Sequence, residues 1–290
     1  MDPTLFAFAL GMGSAVTLAG ANTFVKAAKD ILGARTVMTL TGSVLVLPVL
    51  FFVPLPSPAT WLFLALSLPA HWLYQTALVR AMSRGDLSLV FPIMRGSAPL
   101  LTALAAAMAL GEQLSAVALL GLAIASLATV IFAIPERNFG GSRQVRNSAV
   151  LWALATGAGI AIYNVIDAQG VRSALDTTGT QWSFILWLFA LDWMGITMIM
   201  LLTRGAKEFV ASTRRALFLG MGAGVCSLAS FSMALYGFSI APVAYMSAMR
   251  ETAVVFAALM GWWFLREGFG LRRTFAAILL AAGLSLLQFG

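Results

Sequence analysis

The chain alternates between apolar blocks of 17 to 25 residues and short breaks that are polar or rich in proline and glycine. Blocks of that length suit an α-helix that crosses about 30 Å of hydrocarbon, because each helical residue advances the axis by about 1.5 Å. The pattern predicts helices at 4–25, 34–53, 60–79, 87–109, 114–134, 149–171, 181–202, 214–236, 241–263 and 271–288. VPLPSPAT (53–60) reads as a Pro-rich turn, and PERNFGGSRQVRNS (135–148) is the longest polar stretch, dividing the chain near its middle. No connection is long enough to hold a catalytic domain, so the chemistry must lie among the helices. The expected fold is an all-α polytopic membrane protein.

Composition sharpens this. Of 290 residues, 60% are apolar and 10% charged, whereas a soluble domain carries about 25% charged residues to cover its surface. That excludes a soluble enzyme, a secreted disulfide scaffold and a disordered chain. The single cysteine, Cys226, lies inside an apolar run and reads as a packing residue. The first apolar block has no basic segment before it and reads as a retained helix rather than a cleaved signal.

The net charge of +7 matters less than where the charges fall. With the amino terminus outside, the odd-numbered loops face the cytoplasm and hold fifteen of the eighteen Lys and Arg, from Lys26, Lys29 and Arg35 to Arg266, Arg272 and Arg273. The opposite side receives only Arg172, and Arg95 and Arg250 fall within helices. This asymmetry over short loops is the positive-inside pattern. It predicts a multi-pass protein of a bacterial inner (plasma) membrane with both termini periplasmic or external.

A shift of 155 residues lays Leu62-Phe63-Leu64 on Leu217-Phe218-Leu219, Arg95 on Arg250, and Glu112 on Glu267. Asn22 answers Asn164 at a shift of 142. The expected organisation is therefore a first five-helix repeat over 1–134, a cytoplasmic linker over 135–148 and a second five-helix repeat over 149–290. Five is odd, so the second repeat should be inverted relative to the first, a plan that recurs in secondary transporters with a midplane site between the halves.

The fourth and ninth helices are rich in small residues, and each ends in Gly/Arg-Glu before a Gly/Ala-rich helix. These stretches are LGEQLSAVALLGLAIASLATVIF (110–132) and LREGFGLRRTFAAILLAAGLSLLQF (265–289). In these features the whole chain resembles the drug/metabolite transporter superfamily in its ten-helix, EamA-like form, most of all its aromatic amino acid exporters. It departs from the pattern at Arg266, which stands where the family has glycine. The resemblance implies export of small metabolites, amino acids among them.

Ionisable groups at bilayer depth cost several kcal/mol unless they meet water or a partner, so each needs a reason. Arg95 sits between Pro92 and Pro99, and Arg250 is followed by Glu251. Two such arginines can clamp a substrate carboxylate, or tie helices together, with Arg250 paired to Glu251 or Asp192. His71, Tyr74, Gln75 and Leu78 follow 3/4 spacing and share a helix face. Tyr163, Asn164 and Asp167 form a similar group on the sixth helix; Asp167 is either interfacial or in the cavity. Asp192 either pairs across the bundle or carries a coupling proton, a role also open to Glu251 and His71. Trp187, Tyr236 and Tyr245 complete the expected cavity. Glu112 and Glu267, at helix turns, are expected to be structural, their carboxylates placed to cap a following helix.

With one histidine and one cysteine, neither a metal site nor a Ser-His-Asp set is expected. No phosphate-binding Gly-x-x-x-x-Gly-Lys motif occurs in the sequence. The expected protein is not an enzyme, uses no cofactor, binds no nucleic acid and acts as a monomer on a small-molecule substrate within the lipid bilayer. The leading expectation is a secondary transporter with a cavity lined by helices 1, 3, 4, 6, 8 and 9. The rivals are a channel-like uniporter and an exporter of drugs or other non-amino-acid metabolites.

Overall fold

A computed structural model describes residues 3–84, 87–133, 143–256, 259–260 and 271–289. The described residues form helices joined by turns and contain no strand. In order these are α1 (Pro3–Ala27), α2 (Ile31–Val46), a 3-10 turn (Val49–Phe52), α3 (Pro58–Arg84), α4 (Leu87–Leu110) and α5 (Ala116–Ala133). There follow α6 (Arg143–Thr178), α7 (Trp182–Arg215), α8 (Leu217–Ile240), α9 (Val243–Glu251) and α10 (Leu271–Phe289). Helical backbone resumes at 253–256 beyond α9. Seven of the helices carry spans long and apolar enough to cross a bilayer. The protein is a polytopic α-helical membrane protein.

Local chemistry sets the ends. The Asp30 side chain accepts the Gly33 N–H at 3.1 Å and caps α2, so this helix starts at 31, one turn before the expected 34. Ser57 and Ser115 cap α3 and α5 in the same way, through the N–H groups of Thr60 and Ala118. Gly111 and Gly179 follow α4 and α6 at φ +66° and +74°, where a side chain would strain the backbone. Pro48 ends α2 before the 3-10 turn and Pro242 precedes α9. α6 begins at Arg143, inside the stretch expected to be linker (135–148), of which 135–142 lies outside the described residues. α7 runs on to Arg215 through a break at Gly205 (φ 77°, ψ 167°), well past the expected 202, because the helix resumes on polar residues that an apolar pattern does not register.

The helices pair along their lengths: α1 on α8, α3 on α6, α2 on α7 and α8, α3 on α7, α4 on α5, α6 and α9, and α5 on α10. Lipid tails are as apolar as leucine, so close packing and interhelical hydrogen bonds must hold such pairs together. At the α5–α10 contact, a Cβ on Gly121 would lie 2.6 Å from the Gly283 carbonyl oxygen, and one on Gly283 would lie 2.6 Å from the Ala125 nitrogen. Only glycine lets these backbones meet. Ser230 donates to the Ser14 carbonyl at 2.7 Å between α8 and α1, and Ser43 to the Ala190 carbonyl at 3.0 Å between α2 and α7. Bonds of this kind average about 0.6 kcal/mol in membranes.

Candidate functional site

Between the paired helices lies a cavity of about 140 Å³. At roughly 10–15 Å³ per water on this measure, it has room for about ten waters or a solute of comparable size. Its polar wall is assembled from eight helices, each contributing residues one turn apart or less. α1 brings Asn22, α2 Arg35, α3 His71, Tyr74 and Gln75, and α4 Arg95. The second half of the chain adds Tyr163 and Asn164 from α6, Asp192 and Phe189 from α7, Ser227 and Phe231 from α8, and Ser247, Arg250 and Glu251 from α9.

The charges are partly matched. Arg95 Nη1 donates to Glu251 Oε1 at 3.3 Å, joining α4 to α9. His71 Nε2 lies 3.0 Å from Asp167 Oδ2, and Asp167 Oδ1 accepts the Ser67 hydroxyl. Asp167 is fully buried, and His71 stands between it and the cavity. The His71 ring stacks on Tyr163 with centroids 4.2 Å apart and meets Phe231 edge-on at 5.6 Å. Asn164 Nδ2 donates to Thr102 and Ser247 at 3.4 Å each. Arg250, only 8% exposed, lays its guanidinium 5.1 Å from the Phe231 ring centroid, and its Nε makes no hydrogen bond among the described residues. Asp192 Oδ1 is likewise buried without a hydrogen bond among them.

The two ends of the bundle differ. Cavity residues come from the C-terminal half of α1, the middle of α2 and α8, the N-terminal half of α4 and the C-terminal part of α9. The cavity is therefore displaced toward the end with the α1–α2 and α7–α8 turns. The opposite end is filled by a core that includes Ala7, Leu64, Phe184, Leu188, Leu235, Phe238 and Val243. There Tyr236 meets Phe6 and Trp182 with centroids 5.8 and 6.0 Å away. Glu112 Oε1 accepts Arg172 Nη2 at 2.6 Å and Glu112 Oε2 accepts the Val243 N–H at 2.9 Å, while Arg172 Nε donates to the Phe238 carbonyl at 3.0 Å.

At the cavity end, Asp30 accepts from Arg204 at 2.9 Å and from the Ser212 hydroxyl at 2.6 Å, so one carboxylate spans both sides of the Gly205 break. Burial pushes this carboxyl up, but the Ser212 hydroxyl, the Gly33 N–H and the Arg204 guanidinium outweigh it, and its pKa sits below the usual 3.8.

Of the residues expected at a site, the cavity gathers Asn22, His71, Tyr74, Gln75, Arg95, Tyr163, Asn164, Arg250, Glu251 and Asp192. Asp167 lies one shell behind, on His71. The others lie elsewhere. Leu78 is buried among Ala81, Val90 and Met94, because its apolar side chain turns into the α3–α4 packing. Trp187 faces Trp61 with centroids 5.0 Å apart. Tyr236 and Tyr245 belong to the core of the closed end. Glu112 does cap a helix, but α9 across the bundle rather than the next one, α5, which Ser115 serves. Glu267 lies outside the described residues. The sequence reading assigned Arg35 to topology alone and missed Ser247, Phe231 and Phe189. Ser247 carried a signal, since 247, 250 and 251 share a face at 3/4 spacing; the phenylalanines carried none.

These observations define the class: an α-helical membrane protein whose helices enclose a polar cavity displaced toward one end of the bundle. No protein-family model and no curated protein sequence matches the chain. Among solved structures, a crystal structure described only as that of a protein matches with a TM-score of 0.75, covering 97% of this chain and 95% of its own at 14% identity. At that identity the likeness speaks for the fold alone.

Proposed function

We propose that the chain is a secondary transporter of two inverted five-helix repeats that exports small metabolites, foremost amino acids with apolar or aromatic side chains, by alternating access. The repeat plan is supported by the helix pairing. Exchanging each of α1 to α5 with its counterpart among α6 to α10 turns α1–α8 into α6–α3, α2–α8 into α7–α3, α1–α9 into α6–α4, and leaves α2–α7 and α5–α10 as they are. These pairings exchange with one another, which is what a two-fold axis between the halves would produce; α6–α8 and α7–α8 are contacts of the second half alone. With the basic end cytoplasmic, the cavity faces the cytoplasm and the Glu112–Arg172 end is the closed external side, an arrangement suited to loading for export. A solute site sealed at one end fits alternating access better than a continuous pore.

The observation that carries the reading is Arg250: a buried guanidinium aimed into a solute-sized cavity, against an aromatic ring, with no carboxylate in ion-pair range among the described residues. Such a group is costly to keep unless it meets an anion in the working cycle. A carboxylate held by two charge-assisted hydrogen bonds gains about 3 kcal/mol, on the order of a hundredfold in affinity. The test is counterflow of radiolabelled amino acids into proteoliposomes. Saturable, trans-accelerated uptake is expected, with the half-saturation concentration raised by about tenfold or more in Arg250→Gln protein of unchanged thermal midpoint. Linear flux indifferent to trans solute would favour a channel, and unchanged saturation in Arg250→Gln would remove this residue from the site.

A further inference from the structure

Removing the Arg95–Glu251 pair from the cavity's charges leaves Arg35, Arg250 and Asp192, with His71 held on Asp167. Arg250 and Asp192 are the two that combine a buried polar atom with no hydrogen bond among the described residues. They occupy different parts of the wall. Arg250 enters from α9 against Phe231, and Asp192 from α7, three residues beyond Phe189. His71 lies in the same wall, stacked on Tyr163 and edge-on to Phe231, the ring that the Arg250 guanidinium faces. Arg35 offsets the Asp192 charge from beyond ion-pair distance, which leaves the carboxylate open to a closer cation. A cavity that presents, from two different helices, a guanidinium without a carboxylate partner and a carboxylate oxygen without a hydrogen bond is complementary to a dipolar solute.

We infer that Asp192 is the ammonium-recognising residue of this cavity, forming with Arg250 a two-pole site that accepts a zwitterion and rejects the same skeleton lacking either charge. This rests on the transport reading for its setting and extends it by supplying the second pole. A ligand without an ammonium would fill the cavity while leaving Asp192 desolvated and unpaired, the situation in which sites discriminate most strongly. A ligand without a carboxylate would do the same to Arg250.

The probes are L-phenylalanine, 3-phenylpropionate, which lacks the ammonium, and 2-phenylethylamine, which lacks the carboxylate. In purified detergent-solubilised wild type, L-phenylalanine is expected to raise the thermal midpoint at concentrations at least about tenfold lower than either analogue. Equal stabilisation by 3-phenylpropionate, or no difference among the three, overturns the assignment. In proteoliposome counterflow, Asp192→Asn is expected to bring 3-phenylpropionate to within about threefold of L-phenylalanine as a competitor while the gap to 2-phenylethylamine persists. A gap left intact in Asp192→Asn, or a variant whose only change is in the pH profile of flux, also overturns it, the latter assigning Asp192 to proton movement instead. If Asp192→Asn does not fold, the wild-type midpoints decide. L-phenylalanine that binds with this selectivity but is not transported would keep the assignment and sink the transport reading, so the two fail separately.

Discussion

The closed end gives the sharpest test of whether this arrangement is one state of a cycle. Glu112 lies in the turn after α4, in the first set of helices, whereas its partners Arg172, Val243 and the Arg172 acceptor Phe238 belong to α6, α9 and α8 in the second. The network therefore bridges the surfaces that must part for the cavity to open at this end. Glu112→Gln keeps the size and an oxygen to accept the Val243 N–H but removes the charge. Exchanging a charge-assisted bond for a neutral one costs about 1 kcal/mol. The lower part of the range applies, because the Arg172 side chain is 35% exposed and Glu112 16%. If the bond exists only while this end is closed, about 1 kcal/mol shifts the balance toward opening about fivefold. The assay is alkylation by a membrane-impermeant maleimide at Tyr236→Cys in a Cys226→Ser background, since Tyr236 sits in the Phe6–Trp182 aromatic layer that the opening must expose. Alkylation is expected to accelerate about fivefold on adding Glu112→Gln. A rate unchanged within about twofold, together with a lowered thermal midpoint, would make the network a plain structural tie and refute the reasoning.

Other expectations follow from the same contacts. Arg95→Gln strands Glu251 without its ion-pair partner and should destabilise by about 3 kcal/mol or more, whereas Arg95→Gln/Glu251→Gln should recover much of the thermal midpoint; a double variant no better than the single would rule out coupling between them. Asp30 titrates below 3.8 in the fold, so its contribution is complete above that value and lost as pH falls through the folded pKa. Wild type and Asp30→Asn should therefore differ in thermal midpoint at pH 7 and converge as the pH falls through the lowered folded-state pKa, and a constant difference would show that the carboxylate charge is not what matters. Gly121→Val drives a side chain into the Gly283 carbonyl and the Leu287 nitrogen of α10, both backbone atoms with no rotamer to escape through. A loss of about 3 kcal/mol or more is expected, read as loss of the monodisperse peak on size exclusion.

What the sequence made legible was whatever the bilayer taxes. Apolar length is enforced across the membrane, so the helices fall close to where the blocks put them. The ends drift where polar helix continues beyond the hydrocarbon, as in α6 from Arg143 and α7 to Arg215. Ionisable residues within apolar blocks are equally conspicuous, and Arg95, Asp192, Arg250 and Glu251 all line the cavity. Their partners were less accessible. Arg250 and Glu251 are adjacent in the chain, but neighbours on a helix point about 100° apart, so the carboxylate reaches α4 and Arg95 while Arg250 is left for the cavity.

The aromatic residues mark the opposite limit. Tyr236, Tyr245 and Trp187 looked like cavity residues because a hydroxyl or indole N–H wants a polar neighbour. Yet Tyr245 Oη and Trp187 Nε1 are buried without a hydrogen bond among the described residues, and all three belong to or pack on the core of the closed end. Their polar groups sit where alternating access would admit water, which is what a seal that must periodically come apart requires. A permanently closed wall would have no use for them and could be built from leucine, at lower cost in unpaired polar atoms. If the protein works by alternating access as proposed, the argument that failed to place these residues in the cavity would put them on the other face of that cycle. Under the transport proposal, a polar cavity toward one end and a polar-studded aromatic plug at the other fit a moving transporter better than a static channel.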